Sequence, residues 1–111
     1  MGENLFDTNR LIEFQKSNRK EIEGYTTIFN IIEFPKSLDY FKGLKIVYPS
    51  NQDYHSAIIL SQSLYKIGKP IPPFDILIAA ICYNLKLTLV TSDKHYSIVK
   101  EIWNDFQFSP K

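Results

Sequence analysis

The sequence predicts an α/β protein, a three-layer α/β/α sandwich whose central parallel sheet has about four strands. Two observations lead to this fold class. Short runs such as LKIVY at 44–48 and LTLVT at 87–91 predict strands, and the second, which has no polar alternation, is typical of a strand inside a parallel sheet. These runs alternate along the chain with longer segments whose apolar residues recur at helical spacing. Strands and helices in alternation form a parallel sheet that helices cover on both faces.

The first third of the chain is predicted to hold one strand and two helices. Residues 3–6 form the strand, and a helix begins near Thr8 or Asn9. The polar segment 17–24 then ends this helix in a turn, with a glycine as the breaker. Segment 26–34 predicts the second helix, which the following proline ends, and its β-branched residues leave a strand as the alternative.

The remaining elements are predicted from apolar periodicity and from turn residues. In chain order they are a strand at 44–48, a helix from Asn51 to about Ile67, a helix at 75–85, a strand at 87–91, a helix at 96–103 and a possible edge strand at 105–108. Asn51 is the expected N-cap of the first of these helices. Helix 75–85 is apolar nearly all round, which indicates a central, buried helix, and the Pro-rich stretch KPIPPFD leads into it.

The composition bounds the classes of protein to which the chain can belong. Its 111 residues predict a single domain spanning 1–111. The 13 basic and 12 acidic residues nearly cancel, which argues against a polycationic nucleic-acid coat and against an acidic tail. Cys82 is the only cysteine, so neither a disulfide framework nor a cysteine-based zinc site is expected. No apolar run approaches the roughly 20 residues of a membrane span, and no signal-peptide pattern is present, so a soluble cytoplasmic protein is expected.

Four acidic residues stand where a predicted element begins or ends. Asp7 ends the first strand, and Asp93 closely follows the strand at 87–91. Asp75 falls in the first turn of its helix, and Glu33 lies late in its own helix. In parallel sheets the active site lies beyond the carboxyl ends of the strands, where Asp7 and Asp93 are expected. Because a charge beside buried segments costs free energy unless it is paired or bound to a cation, these acids suggest a divalent-metal site.

The donor atoms of these acids indicate which metal they would bind. Oxygen donors without a cysteine or histidine cluster favour Mg²⁺ or Mn²⁺ over Zn²⁺. Such a site suits hydrolysis of a phosphodiester, because the metal can activate water and neutralise charge on the phosphate. Thr8 and Asn9 can hold the Asp7 carboxylate, and Thr91 offers a hydroxyl close to Asp93. Each acid also has a structural interpretation, since the aspartates can be helix caps or a turn residue and the glutamate a solvated helix residue.

Three segments of the chain resemble the motifs of PIN domains. LFDTNRLIEF is similar to the opening LLDTNVLI-type motif, and TIFNIIEF matches the place where such domains carry a glutamate in the second helix. PFDILIAAICYNLKLTLVTSDKHY is similar to their second half, in which a helix with Asp-x-x-Ile-Ala-Ala precedes a strand and Thr-x-Asp. The resemblance runs from about Asn4 to Val99 and is closest to the VapC-like ribonuclease toxins of type II toxin–antitoxin modules.

The resemblance implies a Mg²⁺- or Mn²⁺-dependent endoribonuclease that hydrolyses RNA phosphodiester bonds. The catalytic residues that it implies are Asp7, Glu33, Asp75 and Asp93. The three aspartates of this set are the expected metal ligands, and Asn9 and Thr91 are the expected supporting residues. The resemblance also implies a protein antitoxin that covers the active site, and a homodimer.

Three features depart from the family's pattern. Arg10 stands where a small apolar residue is usual, and it can neutralise the acids, contact a phosphate or point to solvent, the last being favoured. His95 and Tyr96 replace a common Asp-Phe pair, so that His95, together with Lys94, becomes a possible substrate contact. The segment between the second helix and the strand at 44–48 is shorter than in the family, which has room there for an extra pair of helices.

Other functions remain compatible with the same residues. A non-catalytic PIN-like binding module would keep the acids for its fold or for a partner, and Mn²⁺ would then leave its melting temperature unchanged. A DNA-directed or RNA-processing nuclease of the same superfamily has the same expected site. A phosphatase with an Asp-x-Asp nucleophile is disfavoured, because Asn9 and not a second aspartate lies two residues after Asp7.

Overall fold

Parallel strands form a sheet at the centre of the chain. The computed structural model describes residues 3–110, so the ends of the predicted 1–111 domain at Met1, Gly2 and Lys111 lie outside the described residues. The strands within that range are β1 (Asn4–Phe6), β2 (Glu21–Thr27), β3 (Lys42–Val47), β4 (Thr88–Val90) and β5 (Phe108–Ser109). They lie in the order β3-β2-β1-β4-β5, and every neighbouring pair is parallel. The predicted parallel α/β fold is confirmed, with five strands in the described part of the chain.

Helices cover both faces of this sheet. Those within residues 3–110 are α1 (Thr8–Lys16), α2 (Ile28–Glu33), α3 (Ser37–Tyr40), α4 (Asn51–Lys66), α5 (Pro73–Leu85) and α6 (Tyr96–Ile102). Neighbouring residues on a strand point to opposite faces of a sheet. Leu5 accordingly packs in the larger core cluster with residues of α4, α5 and α6, whereas Phe6 packs with Leu11 and Phe14 of α1 in the smaller cluster. The two clusters are the interiors of the two helical layers that the predicted sandwich requires.

Strand β1 lies at the centre of the sheet, where the strand order reverses. The chain passes from β1 through α1 to β2 on one side, and it returns through α4 and α5 to β4 on the other side. Phe6 pairs with Val90, so Asp7 and Thr91 follow the two strands at the same level. The Asp7 N–H donates to the Val90 carbonyl at 3.0 Å. Open α/β sheets bind ligands at such a reversal, which puts the predicted site beyond the ends of β1 and β4.

Strand β2 corrects the prediction of a polar turn at 17–24. Ile22 is buried while the glutamates on either side of it face solvent, so the segment alternates with the period of a strand. Gly24 lies inside the strand and does not end it. A Cβ at this position would be 2.7 Å from the Phe6 ring, which explains why the residue is a glycine. The predicted helix at 26–34 begins only at Ile28, as α2, since the two threonines before it complete β2.

Other elements have the predicted type with shifted ends. The N-cap of α4 is Ser50 and not Asn51, because the Ser50 hydroxyl accepts from the Asp53 N–H and the Asp53 carboxylate accepts from the Ser50 N–H. α5 begins at Pro73, since proline suits the first turn of a helix. The edge strand lies at Phe108–Ser109 and not at 105–108. No helix within residues 3–110 is long and apolar enough to cross a membrane.

Candidate active site at the carboxyl ends of β1 and β4

Asp7 lies directly after β1, at the N-cap of α1, and only 5% of its surface is exposed. The Thr8 N–H and the Asn30 Nδ2 each donate to its Oδ1 at 2.9 Å, and the Thr91 hydroxyl donates to its Oδ2 at 2.7 Å. Burial raises the pKa of the Asp7 carboxyl, and the charge of Asp93 raises it further, while these three hydrogen bonds oppose the increase. Asp7 is therefore both the cap of α1 and a buried carboxylate that its donors fix in one orientation.

Thr91 and Asn9, the predicted supporting residues, connect the loop after β4 to the start of α1. Thr91 is buried, and its hydroxyl donates to Asp7 and accepts from the Asp93 N–H at 3.0 Å. The Asn9 Oδ1 accepts from the Ser92 N–H at 3.3 Å. The main chain at Asp93 is thus positioned by the same hydroxyl that binds Asp7.

Asp75, Asp93 and His95 place their donor atoms within 4.8 Å of one another, a spacing at which one metal ion can be bound. Asp75 lies in the first turn of α5, and His95 lies immediately before α6. The His95 Nε2 is 3.0 Å from the Asp75 Oδ2. Burial raises the pKa of the Asp75 carboxyl, and the nearby imidazole opposes this shift. The charges of Asp7 and Asp93 add to the increase. Two aspartates of the predicted set thus converge with a histidine.

Asp7 stands beside this group without joining it. Within residues 3–110, the donors that meet the metal spacing are Asp75, Asp93 and His95, although Asp7 acts electrostatically on Asp75. A carboxylate has roughly four lone-pair positions, and the hydrogen bonds to Asp7 occupy most of them. The role of Asp7 as a metal ligand stays a prediction, and His95 is the donor that the sequence did not assign to the metal.

Glu33 lies at the exposed C-terminal end of α2. The Thr8 hydroxyl donates to the Glu33 Oε1 at 2.5 Å, and the same hydroxyl accepts from the Asn30 Nδ2 at 3.0 Å. Because Asn30 also donates to Asp7, a continuous chain of hydrogen bonds joins Glu33 to the buried carboxylate. The structure therefore brings all four predicted acids to one end of the sheet, with Glu33 at the rim.

Asn30 is the site residue that the sequence did not reveal. It is fully buried, and its Oδ1 accepts from the Thr27 N–H at 3.2 Å and from the Thr27 hydroxyl at 2.7 Å, which completes a capping box at the start of α2. Its Nδ2 donates to Asp7 and to Thr8. The available signal was Thr-x-x-Asn before an apolar run, a capping-box pattern with asparagine in place of the usual Glu or Gln.

The His95 Nε2 beside the acids is buried without an aligned hydrogen-bond partner in the described part of the chain, whereas the buried Tyr96 hydroxyl interacts with Asp75. The His95 Nε2 is close to Asp75, but the contact is not aligned as a hydrogen bond. Tyr96 is fully buried, and burial raises its pKa well above the ordinary value, with the charges of Asp7 and Asp75 adding to the shift. Because buried polar atoms are nearly always paired, an imidazole nitrogen without an aligned partner beside the acids indicates a place for a ligand.

Arg10 and Lys94 were predicted as possible substrate contacts. The Arg10 Nη1 lies 2.6 Å from the Glu13 Oε1, and the guanidinium carbon lies 4.8 Å from the centre of the Phe14 ring. The side chain is therefore directed to its own helix and not to the four acids. Lys94 is exposed, next to Asp93, and forms no ion pair with any residue in the range 3–110. Contact of either residue with a substrate stays a prediction.

Solved structures of other proteins resemble this chain in fold, whereas no protein-family model and no curated protein matches it. The DNA-bound VapBC of Salmonella typhimurium has a TM-score of 0.72 at 15% sequence identity, over 98% of each chain. VapBC2 of Rickettsia felis, bound to a DNA fragment from its promoter, has a TM-score of 0.71 at 16% identity, over 96% of each chain. A toxin–antitoxin complex from Klebsiella pneumoniae has a TM-score of 0.66 at 16% identity, over 86% of this chain and 91% of that one. At such identities the similarity establishes the fold, the predicted PIN-like sandwich.

Proposed function

We propose that this chain is a divalent-metal-dependent endoribonuclease and the toxin of a toxin–antitoxin pair. The observation that carries the proposal is the convergence of Asp75, Asp93 and His95 at metal-binding spacing beside the buried Asp7 carboxylate. The group lies beyond the carboxyl ends of β1 and β4, where open parallel sheets bind their ligands. The motifs that resemble PIN domains and the similarity in fold to VapBC structures support the same class of protein.

The side chains present fit a divalent cation such as Mn²⁺ or Mg²⁺. Asp75, Asp93 and His95 would hold it, and carboxylate oxygens are donors that both ions accept. The His95 Nε2 lies 3.0 Å from the Asp75 Oδ2 without an aligned hydrogen bond to it, so its lone pair is free for the cation. A bound cation would supply positive charge that lowers the pKa of water and counters the charge that develops on a phosphate.

The chain's own acids would position the reacting groups. Glu33 orients the attacking water in this proposal, because its carboxylate is exposed at the rim and the Thr8 hydroxyl fixes one of its oxygens. Asp7 fixes the parts of the site relative to one another, because its carboxylate accepts hydrogen bonds from α1, from α2 and from the loop after β4. Tyr96 keeps its proton at neutral pH, since its pKa is raised well above the ordinary value.

A protein antitoxin and a second copy of the chain are the partners that we propose. Helix α4 exposes several large apolar side chains to solvent, among them Tyr54, Ile58, Ile59 and Tyr65. Exposed apolar surface of this kind is typical of protein interaction sites, so it supports a protein partner. The toxin–antitoxin complex from Klebsiella pneumoniae, which has the same fold, supports an antitoxin as that partner. A single domain spanning 1–111 and a cytoplasmic location belong to the same proposal.

The test is cleavage of RNA by the purified, untagged chain in EDTA, Mg²⁺ or Mn²⁺. We expect cleavage only with a divalent cation, and we expect Asp75→Asn and Asp93→Asn each to reduce the rate at least about 100-fold. Asp105→Asn is the matched control, because Asp105 is an exposed aspartate before β5, at the opposite end of the sheet. Cleavage that persists in EDTA, or in both site variants, would refute the proposal.

Two further measurements separate the alternative functions. Single-stranded DNA of the same base sequence replaces the RNA in one, and faster cleavage of the DNA would identify a DNA-directed nuclease. Thermal unfolding with millimolar Mn²⁺ is the other. A chain that cleaves neither nucleic acid and whose melting temperature Mn²⁺ leaves unchanged would be a binding module.

A further inference from the structure

We propose that His95 is a nitrogen ligand of the cation at this site and that its imidazole makes the site favour Mn²⁺ over Mg²⁺. The inference rests on the proposed function and deepens it, because it specifies the metal for the same group of residues. His95 stands where the sequence resemblance leads one to expect an aspartate, so the proposal concerns a property of this particular chain.

The contact between His95 and Asp75 has the spacing of two ligands of one ion. The Nε2 and the Oδ2 are 3.0 Å apart, yet the two atoms do not form an aligned hydrogen bond. Two ligands at right angles, each about 2.1 Å from an octahedral ion, lie about 3.0 Å from each other. Opposite ligands lie about 4.2 Å apart, and the three donors lie within 4.8 Å of one another, so small side-chain movements would bring all three to one ion.

The chain holds this imidazole through the residue that follows it. Tyr96 begins α6 and is fully buried, and its ring centre lies 4.9 Å from that of His95. His95 makes no side-chain hydrogen bond to cap α6, so helix capping does not explain its orientation. A histidine that served only as a surface charge partner would expose its Nε2, whereas here this atom is buried. The imidazole nitrogen is therefore presented to the acids on a rigid support.

A nitrogen ligand changes which cation the site prefers. Mg²⁺ requires oxygen donors in near-ideal octahedral geometry and gives up its waters reluctantly. Mn²⁺ binds most weakly of the first-row transition metals and also suits carboxylate oxygens, but it accepts an imidazole nitrogen with a smaller loss of affinity than Mg²⁺ does. Asp75 and Asp93 supply oxygens that suit either ion, so the imidazole is the donor that separates them. The sequence left Mg²⁺ and Mn²⁺ as equal candidates, and the position of His95 favours Mn²⁺.

The experiment measures metal binding by the untagged chain without RNA. Calorimetric titrations with Mn²⁺ and with Mg²⁺ are made on the wild type, His95→Gln, His95→Asp and the control His55→Gln, His55 being the other histidine and exposed on α4. We expect the wild type and His55→Gln to bind Mn²⁺ at least about tenfold more tightly than Mg²⁺. His95→Gln should lose most of this preference, and His95→Asp should shift it toward Mg²⁺.

Pulsed electron paramagnetic resonance of the Mn²⁺-loaded protein detects the ligand directly. A modulation from a bound imidazole nitrogen is expected in the wild type and in His55→Gln, and it should be absent in His95→Gln. ¹⁵N-labelling of histidine in the wild type gives the same answer if a variant fails to fold. A wild type without nitrogen coupling, or a Mn²⁺ preference that survives His95→Gln, overturns the inference.

The two proposals can fail independently. Nitrogen coupling from His95 in a chain that cleaves no RNA would end the proposed ribonuclease activity and leave the histidine ligand standing. Metal-dependent RNA cleavage with equal Mn²⁺ affinity in the wild type and in His95→Gln would end the histidine-ligand proposal and leave the ribonuclease proposal standing.

Discussion

Replacement of Asn30 by alanine tests whether its buried amide supports the Asp7 carboxylate. The amide donates to Asp7 and to Thr8, and it accepts from both the N–H and the hydroxyl of Thr27. Alanine is the best helix former, so Asn30→Ala removes these bonds without a cost in helix propensity. We expect a folded variant with a large loss of stability, because Asp7 stays buried and loses one of its donors.

The magnitude follows from the bonds that are lost. A hydrogen bond to a charged group contributes about 1.5–3 kcal/mol, and a bond between neutral groups, such as the one to Thr8, contributes about 1 kcal/mol. Loss of the capping interaction at Thr27 costs about 1 kcal/mol more. Because these bonds share one side chain and are not strictly additive, we expect a total of about 4 kcal/mol. In a domain of this size each kcal/mol lowers the melting temperature by about 4 °C, so the expected shift is about 15 °C.

Urea unfolding, followed by circular dichroism and by the fluorescence of Trp103, measures the loss. Asn104→Ala is the matched control, since Asn104 is exposed and its replacement should change stability by less than about 0.5 kcal/mol. The penalty of Asn30→Ala should be smaller at pH 4 than at pH 7, because the bond from Asn30 lowers the pKa of Asp7 and so favours its ionised form. A loss below about 1 kcal/mol, or an equal loss at both pH values, would refute this account of Asn30.

Two further predictions concern the charge of Asp7 and the packing of β2. The native pKa of Asp7 is raised above its ordinary 3.8, so the stability from this group is complete below pH 3.8 and is lost as the pH rises through the native pKa. Asp7→Asn removes that loss, so its stability relative to the wild type should increase from pH 4 to pH 7 in urea titrations; a constant difference would contradict the raised pKa. Gly24→Ala should lower the free energy of unfolding by about 3 kcal/mol, because its Cβ would lie 2.7 Å from the Phe6 ring. Gly68→Ala, with no atom within 4 Å of its Cβ, should lower it by only about 1 kcal/mol. Thermal unfolding compares the two, and equal losses would show that the Phe6 ring moves aside.

The elements around the site were predictable because their signals are local. β1 and β4 each end in two buried apolar residues, and α5 is apolar nearly all round, so each was evident without knowledge of its neighbours. An acidic residue directly after β1 and another shortly after β4 then had to meet at one edge of a parallel sheet. The convergence of Asp7 with the loop that contains Asp93 could therefore be predicted from the sequence.

Strand β2 could not be predicted from the sequence, because one local pattern in it indicates a strand and another indicates a turn. Glutamates on either side of Ile22 and a glycine soon after it are typical of a turn. Gly24 is required in this strand because its φ is +153° and because the Phe6 ring and the Asn4 carbonyl of β1 lie against it, contacts that exist only in the folded chain. The sequence therefore suggested a turn because of Gly24, a residue whose presence is explained only by contacts in the folded chain.

The sequence did not assign His95 to the group with metal-binding spacing for a similar reason. Its imidazole meets Asp75 because Tyr96 packs in the core at the start of α6, which fixes the direction in which the preceding residue points. The sequence places His95 two residues after Asp93, and the resemblance puts Asp75 at the same site, but neither shows the direction in which the imidazole points. Asn30 was missed likewise, since its partner Asp7 lies 23 residues away and on another element.

The charges at this site destabilise the chain without metal and make it able to bind one. Burial raises the pKa of both Asp7 and Asp75, so folding is less favourable at neutral pH than at acidic pH as far as these two groups are concerned. Functional sites commonly keep such unfavourable arrangements at the expense of stability. A cation bound by Asp75, Asp93 and His95 would be attracted by the same negative charge, and it would stabilise the folded chain because the unfolded chain lacks the converged donors. In the proposed function, the charge that weakens the fold would therefore also give the site its affinity for a cation.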